Sequence, residues 1–301
     1  MGLRPRYDRL ATERANRASR DLHRMTPLEI ARLMNREDAR AVRAVGRALP
    51  AISRAVDAIV TALASGGRLF FVGAGTSGRL GVLEAAECPP TFGTPPTLVQ
   101  AVMAGGRASV FRSREGAEDD AAASARAVHA RVRRGDAVVG VSASAVTPFV
   151  RGALAAARRA GATTVLVACN PHAARIGVPR GTITVALDPG PEIVTGSTRL
   201  KAGTATKLVL NTLTTASMAR LGRVWGNRMV DVQPRSRKLR ERAMRLVTEL
   251  GGVNRRGAAR ALAASGDRVR LAVVVARTGW PPPRARRALR EAGGSLRPFL
   301  P

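Results

Sequence analysis

Residues 73–78 read Gly-Ala-Gly-Thr-Ser-Gly, a glycine-rich loop whose spacing suits the binding of a phosphate group. The apolar run 68–72 before the loop predicts a buried strand, and a helical pattern begins at Arg79. Backbone N–H groups at a helix start attract anions, and glycines let the backbone approach a ligand closely. Thr76 and Ser77 add hydroxyl groups at the same place. The candidate phosphate-binding residues are Gly75, Thr76, Ser77 and Gly78.

The same letters match the fingerprint of dinucleotide-binding folds, so the class of ligand depends on the residues after the loop. A dinucleotide site needs an acidic residue about 20 positions further on, at the end of the second strand. The candidate second strand, 97–103, runs into Met-Ala-Gly-Gly and offers no acid. The loop therefore favours a phosphate monoester over a nicotinamide cofactor, with a plain tight turn as the alternative.

A second predicted strand also ends in hydroxyl-bearing residues. The run 136–142 predicts a strand, and Thr147-Pro148 is typical of a helix start. Ser142, Ser144 and Thr147 lie at this junction. Because the carboxyl ends of parallel strands meet at one edge of a sheet, we expect both junctions to face one crevice. Each alone is also compatible with an ordinary capped helix, but together they predict a sugar-phosphate pocket.

The composition predicts an α/β protein with an aliphatic core. Apolar residues make up 45% of the 301 residues, whereas aromatic residues make up only 3%. The formal net charge of +29 raises the question of nucleic-acid binding. The basic residues are spread along the whole chain, however, and few aromatic side chains could stack on bases. We therefore expect solvated arginines and no nucleic-acid partner, with a basic field that attracts anionic metabolites.

The cysteines and the lack of long apolar runs predict a cytoplasmic protein. Cys88 and Cys169 are far apart and show no metal-ligand spacing, which suits a reducing compartment. No run reaches the roughly 18 apolar residues that a membrane span needs, and the first residues lack the apolar core of a secretory signal. We therefore expect no membrane association and no bound metal.

Two helices are predicted ahead of the glycine loop. Residues 1–25 are polar and loop-like. Residues 26–29, Thr-Pro-Leu-Glu, then match a capping box with proline at the first helical position. Asn35 is predicted to cap a second, longer helix over 36–64, which Pro50 kinks or divides.

From residue 68 onward, short apolar runs alternate with helical patterns, which predicts a parallel sheet with helices on both faces. The predicted strands are 68–72, 97–103, 136–142, 163–168 and 182–187, and the predicted helices are 79–86, 116–132, 147–160 and 198–221. Four short helices come next, over 239–250, 255–264, 268–277 and 283–292. We expect an N-terminal arm with helices over 1–45, a sugar-phosphate-binding domain over 46–237 and a small helical domain over 238–301.

Several longer stretches resemble the signature sequences of one enzyme family. They are "GAGTSGRLGVLEAAECPPTFG", "REGAEDD", "SASAVTPFV" and "GPEIVTGSTRLKAGTATKLVLNTL", with the N-terminal "TERANRAS" and "TPLEIARLMNREDARAV". On these stretches the chain resembles the N-acetylmuramic acid 6-phosphate etherases of the sugar isomerase (SIS) domain superfamily. The resemblance covers nearly the whole chain. It implies a three-layer α/β/α sandwich with a mainly parallel sheet, N-terminal helices and a small C-terminal helical unit.

The resemblance also implies a reaction, cleavage of the D-lactyl ether at C3 of N-acetylmuramic acid 6-phosphate. The aldehyde of the open-chain sugar acidifies the proton on C2, so a base and an acid can eliminate lactate before water adds at C3. By resemblance, Glu87 protonates the departing lactate and then activates water, and Glu118 is the other acid–base residue and the candidate C2 base. Glu84 and Glu115 have the same separation, so spacing alone does not select the pair. No cofactor is implied.

A third polar stretch, residues 192–201, could contact the sugar or its phosphate. Its candidates are Glu192, Ser197 and Lys201, with Thr195 and Thr198 as further hydroxyl donors. This segment holds one of only three lysines in a chain that otherwise uses arginine.

One stretch departs from the family pattern. Where that pattern reads Ser-Gly-Arg-Thr, this chain has Ser144-Ala145-Val146-Thr147. Ala145 stands in place of a glycine that could need a left-handed backbone conformation, and Val146 stands in place of an arginine. Phosphate affinity or substrate choice could therefore differ from the family's.

Two other functions share much of this pattern. One is a non-catalytic, sugar-phosphate-sensing SIS regulator, and the other is an aldose–ketose sugar-phosphate isomerase. The isomerase shares C2 deprotonation but has no need of "ECPPTFG". The resemblance further implies a homodimer that acts on a small sugar phosphate in amino sugar recycling.

Overall fold

The structure, a computed structural model, describes residues 10–234 and 236–300. The chain forms two compact units. The first contains the residues up to Ala86 together with Pro96–Ser217, and the second contains Glu87–Pro95 together with the residues from Met218 onward. The loop-like character expected for residues 1–9 lies outside the described residues.

The first unit begins with short 3-10 turns and a capped helix. The turns are Ala11–Glu13, Arg17–Ser19 and Leu22–Arg24, and helix α1 comes next over Pro27–Arg47. The Thr26 hydroxyl accepts from the Glu29 N–H at 3.3 Å, and the Glu29 carboxylate accepts from the Thr26 N–H at 2.7 Å. The predicted capping box is therefore confirmed.

The prediction that Asn35 caps a new helix is wrong. Helix α1 runs through Asn35, whose side chain is exposed, so water can satisfy its amide without interrupting the helix. The break comes at Ala48, and helix α2 extends over Leu49–Ala64. Pro50 lies in the first turn of α2, where its missing N–H costs no hydrogen bond. Pro50 thus divides the predicted long helix, as expected.

A parallel sheet of five strands forms the centre of the first unit. The strands are β1 (Leu69–Gly73), β2 (Val99–Met103), β3 (Ala137–Val141), β4 (Thr163–Ala168) and β5 (Ile183–Ala186). Their order is β2-β1-β3-β4-β5, and every pair is parallel. Strands β1 and β3 are buried at every position, which explains why they appear in the sequence as continuous apolar runs.

Helices flank this sheet, as the α/β sandwich requires. They are α2, α3 (Gly75–Phe92), α4 (Ala121–His129), α5 (Pro148–Arg159) and α6 (Lys201–Arg220). Phe70 and Val72 of β1 belong to one core cluster with residues of α4 and α5. Phe71 alternates to the opposite face, where a Cβ on Gly81 of α3 would lie only 2.8 Å from the Phe71 Cβ. The glycine therefore lets α3 pack directly on the strand.

Helix α4 is shorter than predicted. It begins at Ala121 rather than Gly116, because Gly116 adopts a left-handed conformation (φ 73°) and residues 116–119 form a turn. The Asp120 carboxylate caps the helix by accepting from the Ala123 N–H at 2.7 Å. Glu118 therefore lies in the turn before α4 and not in its first helical turn.

The second unit is mainly helical. Helices α7 (Arg237–Gly251), α8 (Arg255–Ala264), α9 (Val269–Thr278) and α10 (Pro282–Glu291) match the predicted C-terminal helices within about two residues. A two-stranded antiparallel hairpin of β6 (Val224–Trp225) and β7 (Arg228–Met229) precedes them and was not predicted. Among the described residues, none of the helices has the length and apolar character needed to cross a membrane.

Candidate functional site

A cleft of about 300 Å³ opens in the first unit where β1 and β3 end. In the order β2-β1-β3-β4-β5, the chain passes from β1 to its neighbour β2 in one direction along the sheet, and from β3 to its neighbour β4 in the other direction. Open α/β sheets bind ligands where the strand order reverses in this way. The cleft is lined by Leu10, Thr12, Glu13, Ala74, Gly75, Thr76, Ser77, Glu118, Asp119, Val141, Ala143, Ser144, Val146, Thr147, Pro148, Gly196 and Thr198. The two predicted strand ends thus face one crevice.

The glycine-rich loop joins β1 tightly to α3. A Cβ on Gly73 would lie 2.7 Å from the Gly78 nitrogen, and a Cβ on Gly78 would lie 2.5 Å from the Gly73 oxygen. Both positions therefore require glycine for the strand and the helix to meet. Gly75 lines the cleft in a left-handed conformation (φ 52°), whereas Gly78 is buried behind it.

Thr76 and Ser77 lie in the first turn of α3 and line the cleft. Both are partly exposed, and neither side chain bonds to another described residue. The first N–H groups of a helix also lack intrahelical partners. This helix start can therefore offer backbone and hydroxyl donors to an anion.

The segment after β3 supplies a second set of hydroxyl groups. Ser144 and Thr147 line the cleft, whereas Ser142 is buried behind them. The Ser142 hydroxyl lies 2.8 Å from the Thr147 hydroxyl and accepts from the Ala145 N–H at 3.1 Å. Ser142 therefore fixes the shape of this turn, and Ser144 and Thr147 are the members that a ligand can reach.

Ala145 adopts a left-handed backbone conformation with φ 69°. The prediction that this position needs a conformation unfavourable for residues other than glycine is confirmed. Val146 is nearly buried and lines the cleft. No lysine, arginine or histidine is among the described residues that line the cleft, although the chain as a whole carries +29. Among the described lining residues, the groups that could bind a phosphate are therefore neutral donors.

Glu118 lies on the cleft wall with an exposed side chain. Its backbone oxygen accepts from the Phe149 N–H at 2.9 Å, which ties the turn before α4 to the first turn of α5. Asp119 lines the same wall. Glu115 does not line the cleft and pairs with the Ser113 hydroxyl at 3.3 Å. Between the acids that spacing left open, the geometry favours Glu118.

The predicted helix over 79–86 places Glu87 just after its end, whereas the structure places Glu87 inside α3. Helix α3 continues to Phe92 through Pro89 and Pro90, so Glu87 lies within the helix. The helix ends at Phe92, and Gly93 after it is left-handed (φ 62°). Glu87 is exposed, belongs to the second unit and is not among the residues lining the cleft.

Glu84, the alternative acid, is engaged elsewhere. Its carboxylate accepts a hydrogen bond from the Thr214 hydroxyl of α6. This contact gives Glu84 a packing role within the first unit.

Lys201 and Glu192 are buried and do not line the cleft. The Lys201 Nζ donates to the Glu37 carboxylate at 2.6 Å. Burial by itself raises the pKa of Glu37, but bonds from Lys201 and Asn16 outweigh burial and hold that pKa below its ordinary value. The Glu192 carboxylate accepts from the N–H groups of Lys201 and Ala202 at 3.0 and 2.9 Å and so caps α6.

Of the remaining candidates, Ser197 lies in the loop before α6 and does not line the cleft, whereas its neighbours Gly196 and Thr198 do. Ser197 instead closes the loop, since its N–H donates to the Val194 oxygen at 2.9 Å.

The structure adds cleft residues that the sequence did not single out. Thr12 and Glu13 come from the N-terminal segment and line the cleft beside Gly196. A Cβ on Gly196 would lie 3.2 Å from a Glu13 carboxylate oxygen, and Gly196 is left-handed (φ 78°). The stretch "TERANRAS" was the available signal, but nothing in its spacing places it next to a loop some 180 residues further on.

The cleft combines hydroxyl groups, helix-start N–H groups and carboxylates, a set that suits a polyhydroxy phosphate ester. Among the residues that the structure describes, no cluster of His, Cys, Asp or Glu could hold a metal ion.

Comparisons with known proteins agree with this picture. Residues 51–158 match the model of the glucokinase regulatory protein N-terminal SIS domain. A phosphoheptose isomerase from Francisella tularensis, 16% identical, covers 65% of this chain and 100% of its own with a TM-score of 0.51, which shows the shared fold.

Much closer relatives match nearly the whole chain, and the three described below are named N-acetylmuramic acid 6-phosphate etherase. One from Gloeobacter violaceus is 50% identical, with 97% of this chain and 95% of the relative covered. Those from Synechocystis sp. (47% identical, 96% and 94% covered) and Cutibacterium acnes (49% identical, 95% and 94% covered) agree. This chain therefore belongs to the N-acetylmuramic acid 6-phosphate etherase family.

Proposed function

We propose that this protein is a carbon–oxygen lyase that cleaves the D-lactyl ether of N-acetylmuramic acid 6-phosphate. The products are N-acetylglucosamine 6-phosphate and D-lactate, and the reaction belongs to the recycling of cell-wall amino sugars. The observation that carries the proposal is the full-length similarity to relatives of that name, about half of whose residues are identical. The hydroxyl-rich cleft at the ends of β1 and β3 supports it independently.

In this proposal the phosphate binds at the start of α3. Thr76 and Ser77 offer hydroxyl groups there, and the first N–H groups of the helix add backbone donors. Ser144 and Thr147 donate from the neighbouring wall. Neutral donors take the place of a basic side chain, consistent with Val146 at the position where the family pattern has arginine.

The chemistry is an elimination and then an addition. Glu118 on the cleft wall removes the C2 proton of the open-chain sugar, the C3–O bond breaks, and an acid protonates the departing lactate oxygen. Water then adds at C3 of the unsaturated aldehyde, and a proton returns to C2. Glu87 takes the role of the acid, a role that rests on its place in "LEAAECPPTFG" rather than on its position in the cleft.

The test is incubation of the full chain with N-acetylmuramic acid 6-phosphate in isotopically labelled water. Release of D-lactate, with solvent oxygen at C3 and solvent hydrogen at C2, is expected. A protein that binds the sugar phosphate without releasing lactate would instead be a regulator. One that exchanges the C2 proton and forms a ketose would be an isomerase.

Two substitutions test the acid–base roles. Glu118→Gln should lower C2 exchange and lactate release together by at least about 100-fold. Glu87→Gln should abolish lactate release while sugar-phosphate binding persists. The matched control is Glu115→Gln, three residues from Glu118 and outside the cleft lining, which should stay within about twofold of wild type. A fully active Glu118→Gln enzyme would remove Glu118 from the mechanism.

We further infer that the protein is a cytoplasmic homodimer, as the resemblance implies. Light scattering of the purified chain gives its mass directly. A monomer at working concentration would contradict the homodimer.

A further inference from the structure

The N-terminal segment of the first unit forms part of the cleft wall. Leu10, Thr12 and Glu13 of this segment line the cleft together with residues located just after β1 and β3. The side chain of Thr12 is nearly buried, and its hydroxyl donates to the Glu13 carboxylate at 3.0 Å. A Cβ on Gly196 would lie 3.2 Å from the second carboxylate oxygen of Glu13, which is closer than most such contacts. The Thr12 hydroxyl thus holds Glu13 at the cleft, and glycine at position 196 leaves room for the carboxylate.

A buried polar network fixes this segment three residues further along. The Asn16 side-chain amide donates to the Glu37 carboxylate at 2.9 Å and to the Pro191 oxygen at 3.1 Å. Its oxygen accepts from the Ala18 N–H at 3.0 Å, so every polar atom of the side chain has a partner. Glu37 is in turn paired with Lys201, and both are only 1% exposed. The segment is therefore tied at once to α1, to the loop before α6 and to α6 itself.

The charge of the cleft indicates what Glu13 can recognise. Glu13, Glu118 and Asp119 are carboxylates, and no described lining residue is basic. A carboxylate repels a phosphate or a lactyl carboxylate but accepts strongly from O–H groups. Glu13 therefore suits the hydroxyl-bearing part of a sugar and not its anionic ends.

We propose that Glu13 is a substrate-binding residue whose carboxylate accepts a hydrogen bond from a sugar hydroxyl, and that Asn16 is the positioning residue that holds it there. The inference rests on the proposed function for the identity of the sugar. The N-terminal segment then becomes part of the binding site. The buried Glu37–Lys201 pair contributes to substrate recognition by holding Asn16.

Steady-state kinetics with N-acetylmuramic acid 6-phosphate test the role of Glu13. Glu13→Ala should raise KM by about 10- to 100-fold, the effect of losing a hydrogen bond to a charged group, with kcat within about threefold. Glu13→Gln keeps an acceptor oxygen and should raise KM less. The matched control, Glu291→Ala, removes an exposed carboxylate of α10 and should change neither constant. An unchanged KM in Glu13→Ala, or a loss confined to kcat in Glu13→Gln, would overturn the proposal.

A double-mutant cycle tests the positioning role of Asn16. Asn16→Ala leaves the Glu37–Lys201 pair in place and should raise KM. If Asn16 acts through Glu13, adding Asn16→Ala to Glu13→Ala should raise KM little further. Fully additive effects would show that Asn16 affects substrate binding independently of Glu13 and would overturn its positioning role. Asn35→Ala, in the exposed part of α1, is the control and should leave KM unchanged.

A second measurement separates this inference from the proposed function. Calorimetric titration with N-acetylglucosamine 6-phosphate reports sugar binding without turnover. Weaker binding by Glu13→Ala than by wild type supports the role of Glu13 even if the wild type releases no lactate. Equal binding by the two proteins, with an active wild type, refutes Glu13 and leaves the etherase assignment intact.

Discussion

Ala145 holds a backbone conformation that alanine rarely adopts, at the turn that shapes the cleft. Its φ of 69° is left-handed, and its methyl group is buried in the core cluster with α4 and α5. A left-handed conformation costs a residue with a Cβ about 1–2 kcal/mol, and the buried methyl returns about 0.8 kcal/mol. The buried methyl offsets part of the cost, which explains how alanine persists where the family pattern has glycine.

This balance predicts an unusual response to glycine. Ala145→Gly should leave the free energy of unfolding unchanged or raise it by up to about 1 kcal/mol, as measured by urea denaturation. The control is Ala153→Gly in α5, equally buried in the same cluster but helical, which should lose about 1–2 kcal/mol. Equal losses in the two variants would show that φ at position 145 carries no strain.

At the scale of elements, one buried carboxylate joins the beginnings of β1 and β3. Asp136 is fully buried and accepts from the backbone N–H groups of Arg68 and Arg133 at 2.8 and 2.9 Å. The Arg68 guanidinium adds an ion pair at 2.7 Å. Burial alone would raise the pKa of Asp136, but these bonds outweigh it and hold the pKa below its ordinary value.

The lowered pKa of Asp136 fixes the sign of a pH effect. A carboxyl whose pKa is lower in the folded state stabilises the fold above its unfolded pKa of about 4 and stops doing so as pH falls through the folded pKa. Asp136→Asn should therefore cost about 2–3 kcal/mol at pH 7, and the difference from wild type should shrink below about pH 4. Urea midpoints measured between pH 7 and pH 3 check this.

The control for the pH experiment is Asp21→Asn, in an exposed turn of the N-terminal segment. This variant should track the wild-type curve at every pH. A difference between Asp136→Asn and wild type that stays constant down to pH 3 would contradict the assigned role.

The sequence predicts an element well when the residues that determine it lie within or next to that element. Strands such as β4 are predicted by their own apolar residues, and the start of α1 is predicted by a cap contained in four residues. Other features depend on residues that lie far apart in the sequence. Lys201 was predicted to reach a ligand, because nothing nearby shows that Glu37, 164 positions away, pairs with it inside the protein. Glu13 escaped notice for the same reason.

At the scale of the whole molecule, the net charge of the chain and the charge of the described cleft lining have opposite signs. The chain carries +29, whereas the described cleft lining contains carboxylates and no basic side chain. A sugar phosphate is an anion, so the distributed arginines should speed its arrival, and the cleft's neutral donors should hold it. Attraction over distance is screened by salt far more than short hydrogen bonds are.

This difference between long-range attraction and short hydrogen bonds predicts that salt weakens substrate binding but leaves turnover unchanged. Raising the ionic strength from about 10 to 150 mM shortens the Debye length from about 30 to 8 Å, so kcat/KM should fall several-fold while kcat stays constant. Thermal midpoints at each salt concentration exclude unfolding as the cause. A kcat/KM that is insensitive to salt would show that the arginines play no part in capture.

Each of the two units contains one buried cysteine, whose reactivity can report local unfolding of that unit. Cys169 lies in the first unit and Cys88 in the second, and both are buried. Burial raises the pKa of Cys169 to about 12, so its reactive thiolate is scarce while the fold is closed. Alkylation by a thiol reagent should therefore require local unfolding. The labelling rates of the two cysteines would then report how often each unit unfolds locally, without any engineered probe.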